Sequence, residues 1–434
     1  MSFFILGIYF AILVAVLLAD IKKSFIALVL GTLLFPCCAL FVESPAISGQ
    51  IVFLYAFLLR EFLIDGKTFR EALFSGPLKL FLFFIVLSYA FTTIFNFSTQ
   101  NAYYAVRDIL DVYGYLLASM IAARKLSWEY VAHKLYWVVF FFCCYGLLEA
   151  ATNTNLLYKY INMSFPAYDG WYNLNGNISA SESWRIRTII TTKHPTALGT
   201  LLTTLFLFYV VAYKKDLFPK TKILTLLGLL GVNMIFSGSR TSVFCTMIAM
   251  LYLFMKNAKP MVKIICVALA VYSSSYIAGL VVEKYMDNKD GSSIMLRLNQ
   301  LAYSVQKIRE SPVWGNGSNY TAHQIKDEGV RFNDDDEFIG GLESVLFIYM
   351  IDRGLLGVFS FYLFWAYFFW YLRKKNKKDK NFIAQIIPLG VILFLSISGL
   401  IGNNTGYCMI FLGLFVSNSE DEPKQLESEL PIEV

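Results

Sequence analysis

The first nineteen residues, MSFFILGIYFAILVAVLLA (1–19), contain no charged side chain and are apolar almost throughout. A helix needs about 20 such residues to cross the roughly 30 Å hydrocarbon core of a bilayer, so this stretch is long enough to span a membrane. It has no basic segment at its start and no small-residue cleavage motif. We therefore predict a first membrane span here rather than a signal peptide that is removed.

Apolar stretches of similar length recur along the rest of the chain. The sequence has 434 residues, of which 57% are hydrophobic and 16% are charged, whereas about 25% of a soluble domain is charged. Because lipid offers no hydrogen-bond partner to an exposed backbone, such stretches cross a membrane as helices. We predict an all-α polytopic membrane protein with about thirteen transmembrane helices, in a range of roughly 12–14. The predicted spans are residues 2–19, 24–42, 46–64, 79–96, 102–122, 131–150, 194–213, 222–237, 241–255, 260–282, 354–372, 382–400 and 404–417.

Lysine and arginine residues fall on alternate connectors between these spans. Lys22-Lys23, Arg124-Lys125 and Lys214-Lys215 are examples, and short positive connectors face the cytoplasm. The opposite, periplasmic side then carries two long polar loops. The chain is expected to divide into a transmembrane bundle at 1–282 that includes the periplasmic loop 151–193, a large periplasmic loop at 283–341, the remaining membrane helices at 342–417 and an acidic cytoplasmic tail at 418–434.

The composition argues against several classes of function. The net charge of +6 comes from basic residues in short connectors, so it does not indicate a surface for nucleic acid. All seven cysteines fall in apolar stretches, at spacings that match neither a metal site nor a disulfide framework. His133, His194 and His323 lie far apart in the sequence and form no catalytic constellation. We therefore expect no metal and no cofactor.

Charged residues inside or beside spans are the informative positions, because each costs a few kcal/mol unless it is paired or hydrated. Several have a possible partner close by in the sequence. Local ion pairs are expected at three places: Arg60 with Glu61, Arg107 with Asp108 or Asp111, and Asp352 with Arg353. For Arg107, an anionic lipid headgroup is the alternative partner.

A cationic cluster lies directly before the predicted span 194–213. It comprises Arg185, Arg187, Lys193 and His194, and a proline follows in the first helical turn, where its missing N–H group costs nothing. Positive side chains beside the free N–H groups of a helix start suit a bound phosphate. An interfacial basic cluster without a ligand is the alternative interpretation.

The turn Ser237-Gly238-Ser239-Arg240 joins two predicted spans on the same outer side of the membrane. The positive-inside rule disfavours an arginine at that place. A guanidinium stays charged and can bind two phosphate oxygens at once. We therefore predict that Arg240 binds a ligand, with a purely structural turn as the alternative.

Glu343 directly follows the large polar loop 283–341 and opens an apolar helix that breaks at Gly354 and Gly357. Desolvation at a membrane boundary can raise the pKa of a carboxyl group, and a raised pKa suits a general base near neutral pH. A plain acidic cap of the helix start is the alternative interpretation.

At these positions the chain resembles the O-antigen polymerase and O-antigen ligase superfamily, over residues 185–372. The pattern of that group is an arginine before a span that starts with His-Pro or Asn-Pro, then a Ser-Arg turn, a large loop with an arginine and a Pro-x-x-Gly-x-Gly turn, and a Gly-x-x-Gly span. The matching residues here are Arg187 with His194-Pro195, Ser239-Arg240, Arg297 with Pro312–Gly317, and Gly354–Gly357. Ligases of the group carry a histidine where this chain has Glu343-Ser344, so the resemblance favours a Wzy-type polymerase.

The resemblance implies a membrane glycosyltransferase with a GT-C-like architecture, in the bacterial inner (cytoplasmic) membrane, with an active site that faces the periplasm. Its donor is a growing glycan on undecaprenyl diphosphate and its acceptor is one lipid-linked repeat unit, as in lipopolysaccharide biosynthesis. An acceptor hydroxyl attacks the anomeric carbon and the lipid diphosphate leaves. A chain-length-regulating co-polymerase and the flippase of the repeat unit are the implied protein partners.

Carried onto this sequence, that chemistry assigns roles to individual side chains. Arg187 and Arg240 are expected to hold the diphosphate, with Arg297 assisting from the loop, and Glu343 is expected to take the proton of the acceptor hydroxyl. The further candidates for diphosphate binding are Arg185, Lys193 and Arg353.

Three other functions remain open at this point. One is an O-antigen ligase, which transfers the glycan to the lipid A core. Another is a flippase or transporter of lipid-linked sugars, which is expected to have a charged cavity at mid-membrane and often an inverted repeat. A structural or regulatory membrane protein is the third. The polymerase hypothesis predicts that Arg187, Arg240 and Glu343 lie together under the loop.

Overall fold

The structure is a computed structural model that describes residues 2–37, 39–42, 47–74, 79–165, 167–168, 187–261, 293–321, 342, 344–375, 380–397 and 403–416. The described residues are mostly helical. The helices are α1 (Ser2–Leu18), α2 (Ile21–Leu34), α3 (Gly49–Ile64), α4 (Gly66–Phe74), α5 (Lys79–Phe95), α6 (Thr99–Ala122), α7 (Trp128–Thr152), α8 (Leu156–Asn162), α9 (Pro195–Lys214), α10 (Lys220–Phe236), α11 (Arg240–Asn257), α12 (Ser293–Ile308), α13 (Val345–Lys375), α14 (Ile386–Ile397) and α15 (Asn403–Gly413). A 3₁₀-helix, Lys380–Gln385, precedes α14.

A small antiparallel sheet is the other regular element in the described part of the chain. Its strands are β1 (Ala39–Val42), β2 (Ile47–Ser48) and β3 (Ala167–Tyr168), in the order β2-β1-β3. Strand β1 lies where the sequence predicts the end of the span 24–42. Helix α2 ends at Leu34 instead, because Pro36 forces the residue before it out of the helical conformation, and Phe35 is extended with φ −106° and ψ 124°.

The predominance of helices and the presence of long apolar helices are consistent with the predicted all-α membrane protein. Three helices among the described residues are long and apolar enough to cross a membrane: Trp128–Thr152, Pro195–Lys214 and Val345–Lys374. Shorter apolar helices occur at Phe3–Leu18, Leu82–Phe95 and Ile383–Ile397. The count of about thirteen spans and the side of the membrane on which each connector lies stay predictions.

Helix α9 lies at the centre of the bundle. It contacts α10, α11, α14 and α15, and almost every residue from Ala197 to Ala212 is buried. Small side chains make this close packing possible, as is common between membrane helices. At Gly199, for example, an added Cβ would lie 2.6 Å from the Ser239 hydroxyl. The N-terminus of this buried helix is therefore held firmly by its neighbours.

Two of the three predicted local ion pairs are present. Arg60 pairs with Glu61, and Arg107 pairs with Asp111 at 3.2 Å. The predicted pair of Asp352 with Arg353 is wrong, since no contact within ion-pair distance joins these two among the described residues. The Asp352 carboxylate instead accepts a hydrogen bond from the N–H group of Thr321 at 2.9 Å, and the Arg353 guanidinium lies against the Tyr89 ring.

Candidate functional site

The structure brings two of the predicted cationic elements together. The N–H group of Thr188 donates to the carbonyl of Phe236 at 3.2 Å, which ties the segment before α9 to the end of α10. The side chain of Arg187 then lies over Gly238, where an added Cβ would come within 2.9–3.0 Å of its Cγ, Cδ and Nε atoms. Arg187 therefore packs directly on the turn that leads to Arg240.

This turn depends on glycine and on local hydroxyl groups. Gly238 has a φ of 65°, in the left-handed region that favours glycine. The Ser237 hydroxyl accepts a hydrogen bond from the N–H group of Ser239 at 3.2 Å. The N–H group of Arg240 donates to the carbonyl of Gly238 at 3.1 Å, and Arg240 is the first residue of α11. The turn therefore has a defined shape that fixes the backbone position of Arg240.

Both arginines are exposed. Among the described residues, neither the Arg187 nor the Arg240 guanidinium forms an ion pair or a hydrogen bond. Two guanidinium groups without partners, one on the turn and one packed against it, concentrate positive charge and leave their donors available. Such an arrangement suits an anion with several oxygens, such as a phosphate or diphosphate.

His194 and Lys193 lie beside this pair. His194 is the N-cap of α9, and its Nδ1 accepts a hydrogen bond from the N–H group of Thr196 at 3.2 Å. Burial, together with the smaller effect of the positive charges of Arg187 and Lys193, lowers the pKa of His194 to about 4. The imidazole is therefore neutral at physiological pH and serves as a helix cap rather than as an acid or base.

The neutral cap leads to a prediction about His194 variants. His194→Asn keeps a strong N-cap, whereas His194→Ala removes it at a cost of about 1 kcal/mol in the free energy of unfolding. Protonation is also linked to folding, because the unfolded histidine has a pKa near 6.5 and the folded one a pKa of about 4. Between these values the unfolded state binds more protons, so stability decreases as the pH falls from about 6.5 towards 4.

Thermal unfolding of the purified proteins at pH 7 and pH 5 measures both effects. We expect the wild type to lose more stability on acidification than His194→Asn, by an amount of the order of 1 kcal/mol. Equal losses in the two proteins would show that the histidine is not buried in the neutral form. Activity at pH 7 is expected to be similar for the wild type and the asparagine variant.

Glu343 lies outside the described residues, but the residue after it does not. The Ser344 hydroxyl donates to the carbonyl of Ser396 at 2.6 Å, at the C-terminal end of α14. Phe394, two residues earlier on α14, and Ser239 both pack against Gly199 of α9. A Cβ added at Gly199 would lie 3.3 Å from the Phe394 ring and 2.6 Å from the Ser239 hydroxyl. The end of α14 thus contacts both the neighbour of Glu343 and the region of the Ser-Arg turn.

Arg353 occupies a different environment. Only 3% of its surface is exposed, and its guanidinium carbon lies 3.6 Å from the centre of the Tyr89 ring and 3.7 Å from that of Tyr349. It forms no ion pair or hydrogen bond with another described residue. Cation–π attraction to the two rings compensates part of its buried charge. The structure thus places the Arg353 guanidinium between a ring of α5 and a ring of its own helix.

The Pro312–Gly317 turn docks into a break of α13. At the break, Gly354 has a φ of 61° and a ψ of −160°, a conformation essentially restricted to glycine. Backbone groups on both sides of the break then pair with the turn instead of with their own helix. Asn316 N–H donates to the carbonyl of Ile351 at 2.9 Å, and Leu355 N–H donates to the carbonyl of Pro312 at 2.9 Å.

Helix α5 completes this docking site. The Trp314 ring stacks on Phe95 with ring centres 4.2 Å apart, and the Asn96 side-chain amide donates to the carbonyl of Gly315 at 2.9 Å. From the sequence, the turn and the Gly354 break are separate elements. Their contact shows that the turn anchors the middle of the predicted loop 283–341 on the helices α5 and α13.

The remaining candidates are placed less completely. Arg297 lies within α12, but its side chain is outside the described part of the structure, and Arg185 is outside it altogether. One residue near the site that the sequence analysis did not single out is Glu149, a buried acid in α7 whose carboxylate binds the backbone two to three residues after Arg187. An acidic residue within an apolar span was the pattern that could have indicated it.

A cavity of about 420 Å³ lies between α3, α4, α5 and α6. Its lining is made of apolar side chains and two tyrosines, and no Asp, Glu, Lys or Arg side chain lines it. A transporter of anionic lipid-linked sugars is expected to have a charged cavity instead. This cavity therefore gives no support to the transporter alternative.

Comparison with known proteins adds a finding for the second half of the chain. Residues 223–362 match the family model Wzy_C, described as O-antigen ligase. The matched part begins in α10, includes the Ser-Arg turn and ends in α13 beyond the Gly354 break. No curated protein matched the chain. Members of the matched family are glycosyltransferase-like membrane enzymes, polymerases or ligases, that act on lipid-linked glycans. The match supports a place for this chain in the O-antigen ligase and polymerase superfamily.

Proposed function

We propose that this protein polymerises lipid-linked oligosaccharide repeat units of a bacterial surface polysaccharide at the periplasmic face of the inner membrane. The observation that carries the proposal is the position of Arg187 on the turn that bears Arg240, with both guanidinium groups unpaired among the described residues. Positive groups held in this way suit the diphosphate of a polyprenyl-linked donor.

The reaction is a displacement at the anomeric carbon of the donor glycan. A hydroxyl oxygen at the non-reducing end of the acceptor repeat unit forms the new glycosidic bond. The bond between the anomeric carbon and the diphosphate oxygen breaks, and the undecaprenyl diphosphate leaves with the electron pair. In our proposal, the acceptor proton passes to the Glu343 carboxylate.

The basic residues act on the leaving group. Negative charge accumulates on the bridging oxygen of the diphosphate as the bond breaks, and donors that are already aimed at that charge stabilise the transition state. Arg187 and Arg240 take this role, with Lys193 adding positive charge and Arg297 and Arg185 as further candidate donors. The contacts of Arg353 with two tyrosine rings favour a role in holding the break of α13 rather than in binding the diphosphate.

The acid at position 343 is the reason for preferring a polymerase to a ligase. Ligases of the superfamily carry a histidine where this chain has Glu343-Ser344. The next residue, Ser344, donates a hydrogen bond to the end of α14, and Phe394 of that helix packs beside Gly199, which also adjoins Ser239.

Reconstitution with defined substrates tests the proposal. The purified protein is placed in liposomes with synthetic undecaprenyl-diphosphate-linked repeat units, and the products are separated by length. A polymerase yields lipid-linked glycans that grow by whole repeat units. A ligase leaves the lipid-linked glycan at its starting length and transfers it only when lipid A core is added. The second outcome, or no transfer with either acceptor, would overturn the polymerase assignment.

A further inference from the structure

The segment from Arg187 to His194, which links the loop to α9, is held in an unusual backbone conformation. Ile190 has a φ of 53°, in the left-handed region. That region is unfavourable for a β-branched residue and persists only when the surroundings impose it. The residues from Thr188 to Thr192 are all buried. The surroundings of Ile190 therefore decide the course of the chain directly after Arg187.

Two side chains from outside the segment hold both backbone groups of Ile190. Glu149, in the last turn of α7, is 1% exposed. Its Oε2 accepts a hydrogen bond from the N–H group of Ile190 at 2.8 Å, and its Oε1 accepts one from Ile189 at 3.1 Å. The Asn155 side-chain amide donates to the carbonyl of Ile190 at 2.7 Å. The peptide groups before and after Ile190 are thus both fixed.

The neighbouring turn of α7 is shaped for the same segment. A Cβ added at Gly146 would lie 2.7 Å from Cδ1 of Ile190, so the absence of a side chain there lets the isoleucine pack against the helix. On the other side, the bond from Thr188 to Phe236 fixes the chain next to Arg187. The Arg187 side chain therefore extends from a segment whose backbone is fixed at Thr188, Ile189 and Ile190.

We infer that Glu149 is a positioning residue, which holds Ile190 in the left-handed conformation and thereby sets the position of Arg187 on Gly238. Glu149 does not touch the substrate in this arrangement, because its carboxylate oxygens bind backbone N–H groups. The inference rests on the proposed function, in which Arg187 binds the diphosphate of the donor.

Glu149→Gln is the most specific variant for this test, because it keeps the size of the side chain. It replaces one acceptor oxygen by an NH₂ donor, which repels a backbone N–H group. We expect the initial polymerisation rate to fall about 10²-fold, since small displacements of a binding group have effects of that size. Glu129→Gln, at the other end of the same helix, is the matched control. Its carboxylate pairs with Lys215 at 3.2 Å, and we expect a rate close to that of the wild type.

A double-mutant cycle separates positioning from a general structural effect. If Glu149 acts through Arg187, Glu149→Gln causes no further loss of rate in an Arg187→Ala background. Losses that multiply in the double variant would overturn the inference. Ile190→Gly provides a second test, because glycine adopts the left-handed conformation without help. We expect it to restore part of the rate when combined with Glu149→Gln.

Amide hydrogen exchange tests, without reference to activity, whether Glu149 holds the backbone of Ile189 and Ile190. In the wild-type protein, the peptide that contains Ile189 and Ile190 is expected to be protected, and in Glu149→Gln it exchanges at least tenfold faster. The peptide that contains Gly199 is expected to be unchanged. If the wild type makes no polymer, the proposed function fails, and the exchange measurement alone decides whether Glu149 holds this backbone. Unchanged exchange in Glu149→Gln would overturn it.

Discussion

Arg240→Ala is expected to lower the polymerisation rate by about 10²–10³-fold, the effect of removing one preorganised donor from a developing negative charge. Arg187→Ala is expected to have a loss of the same order, because its guanidinium lies on the same turn. In cells, either variant should accumulate glycan of a single repeat unit without a ladder of longer chains. The rate with synthetic lipid-linked repeat units measures the loss directly.

The cause lies in charge and geometry rather than in stability. Both side chains are exposed and form no ion pair or hydrogen bond among the described residues, so their removal leaves no buried group without a partner. The amount of folded protein in the membrane should therefore stay unchanged. Arg240→Lys keeps the charge but loses the two-pronged contact with phosphate oxygens, and it should retain an intermediate rate.

Arg309→Ala is the matched control for this prediction. Arg309 is also exposed, and it directly follows α12, apart from the turn at 237–240. We expect a normal ladder from this variant. A normal ladder from Arg240→Ala as well would remove Arg240 from the mechanism, and the same result for both site arginines would remove the proposed diphosphate site.

Gly315→Ala is expected to have the largest effect on the loop. Gly315 has a φ of 75°, and an added Cβ would overlap the backbone of Asp352 and Arg353 at the break of α13. The left-handed conformation alone costs about 1–2 kcal/mol for a residue with a side chain. Because the overlap is with backbone atoms, no side-chain movement relieves it, and the turn must leave the break.

The displaced turn would lose several backbone hydrogen bonds. The bonds from Asn316 to Ile351 and from Gly317 to Asp352 would both be broken, at a net cost of about 0.5–1.5 kcal/mol each. We expect a lower midpoint of thermal unfolding, faster proteolysis of the loop and a large loss of polymerisation. Gly228→Ala is the control, because nothing lies within 4 Å of an added Cβ there and alanine favours a helix. If both variants behaved like the wild type, the docking of the turn would not matter for stability or function.

Some parts of the site follow directly from sequence patterns. An arginine on a connector that the positive-inside rule leaves uncharged stands out without any structure, and Arg240 was found in this way. His194 before Pro195 predicts a helix start, and α9 begins there. The match of residues 223–362 to an O-antigen ligase family supports the superfamily suggested by the same residues. These patterns are local, which is why the sequence reveals them.

Other parts were missed or wrong for physical reasons. The expected pair of Asp352 with Arg353 does not form, and the Asp352 carboxylate binds the N–H group of Thr321 instead, a residue far away in the sequence. Arg353 instead lies between the rings of Tyr89 and Tyr349, and Tyr89 belongs to a distant helix. The role of Glu149 was missed because its partners, the N–H groups of Ile189 and Ile190, have no side-chain pattern that a sequence displays.

The sequence by itself determined the helical membrane fold and the identity of the basic residues that form the candidate site. It does so because a bilayer requires apolar helices of a fixed length and makes every unpaired charge conspicuous. Only the tertiary structure decided that Arg187 packs on Gly238, that the Pro312–Gly317 turn fills the break at Gly354, and that Glu149 holds the backbone beside Arg187. These contacts join backbone groups of residues far apart in the chain, and backbone groups are the same in every residue, so no local pattern encodes their pairing.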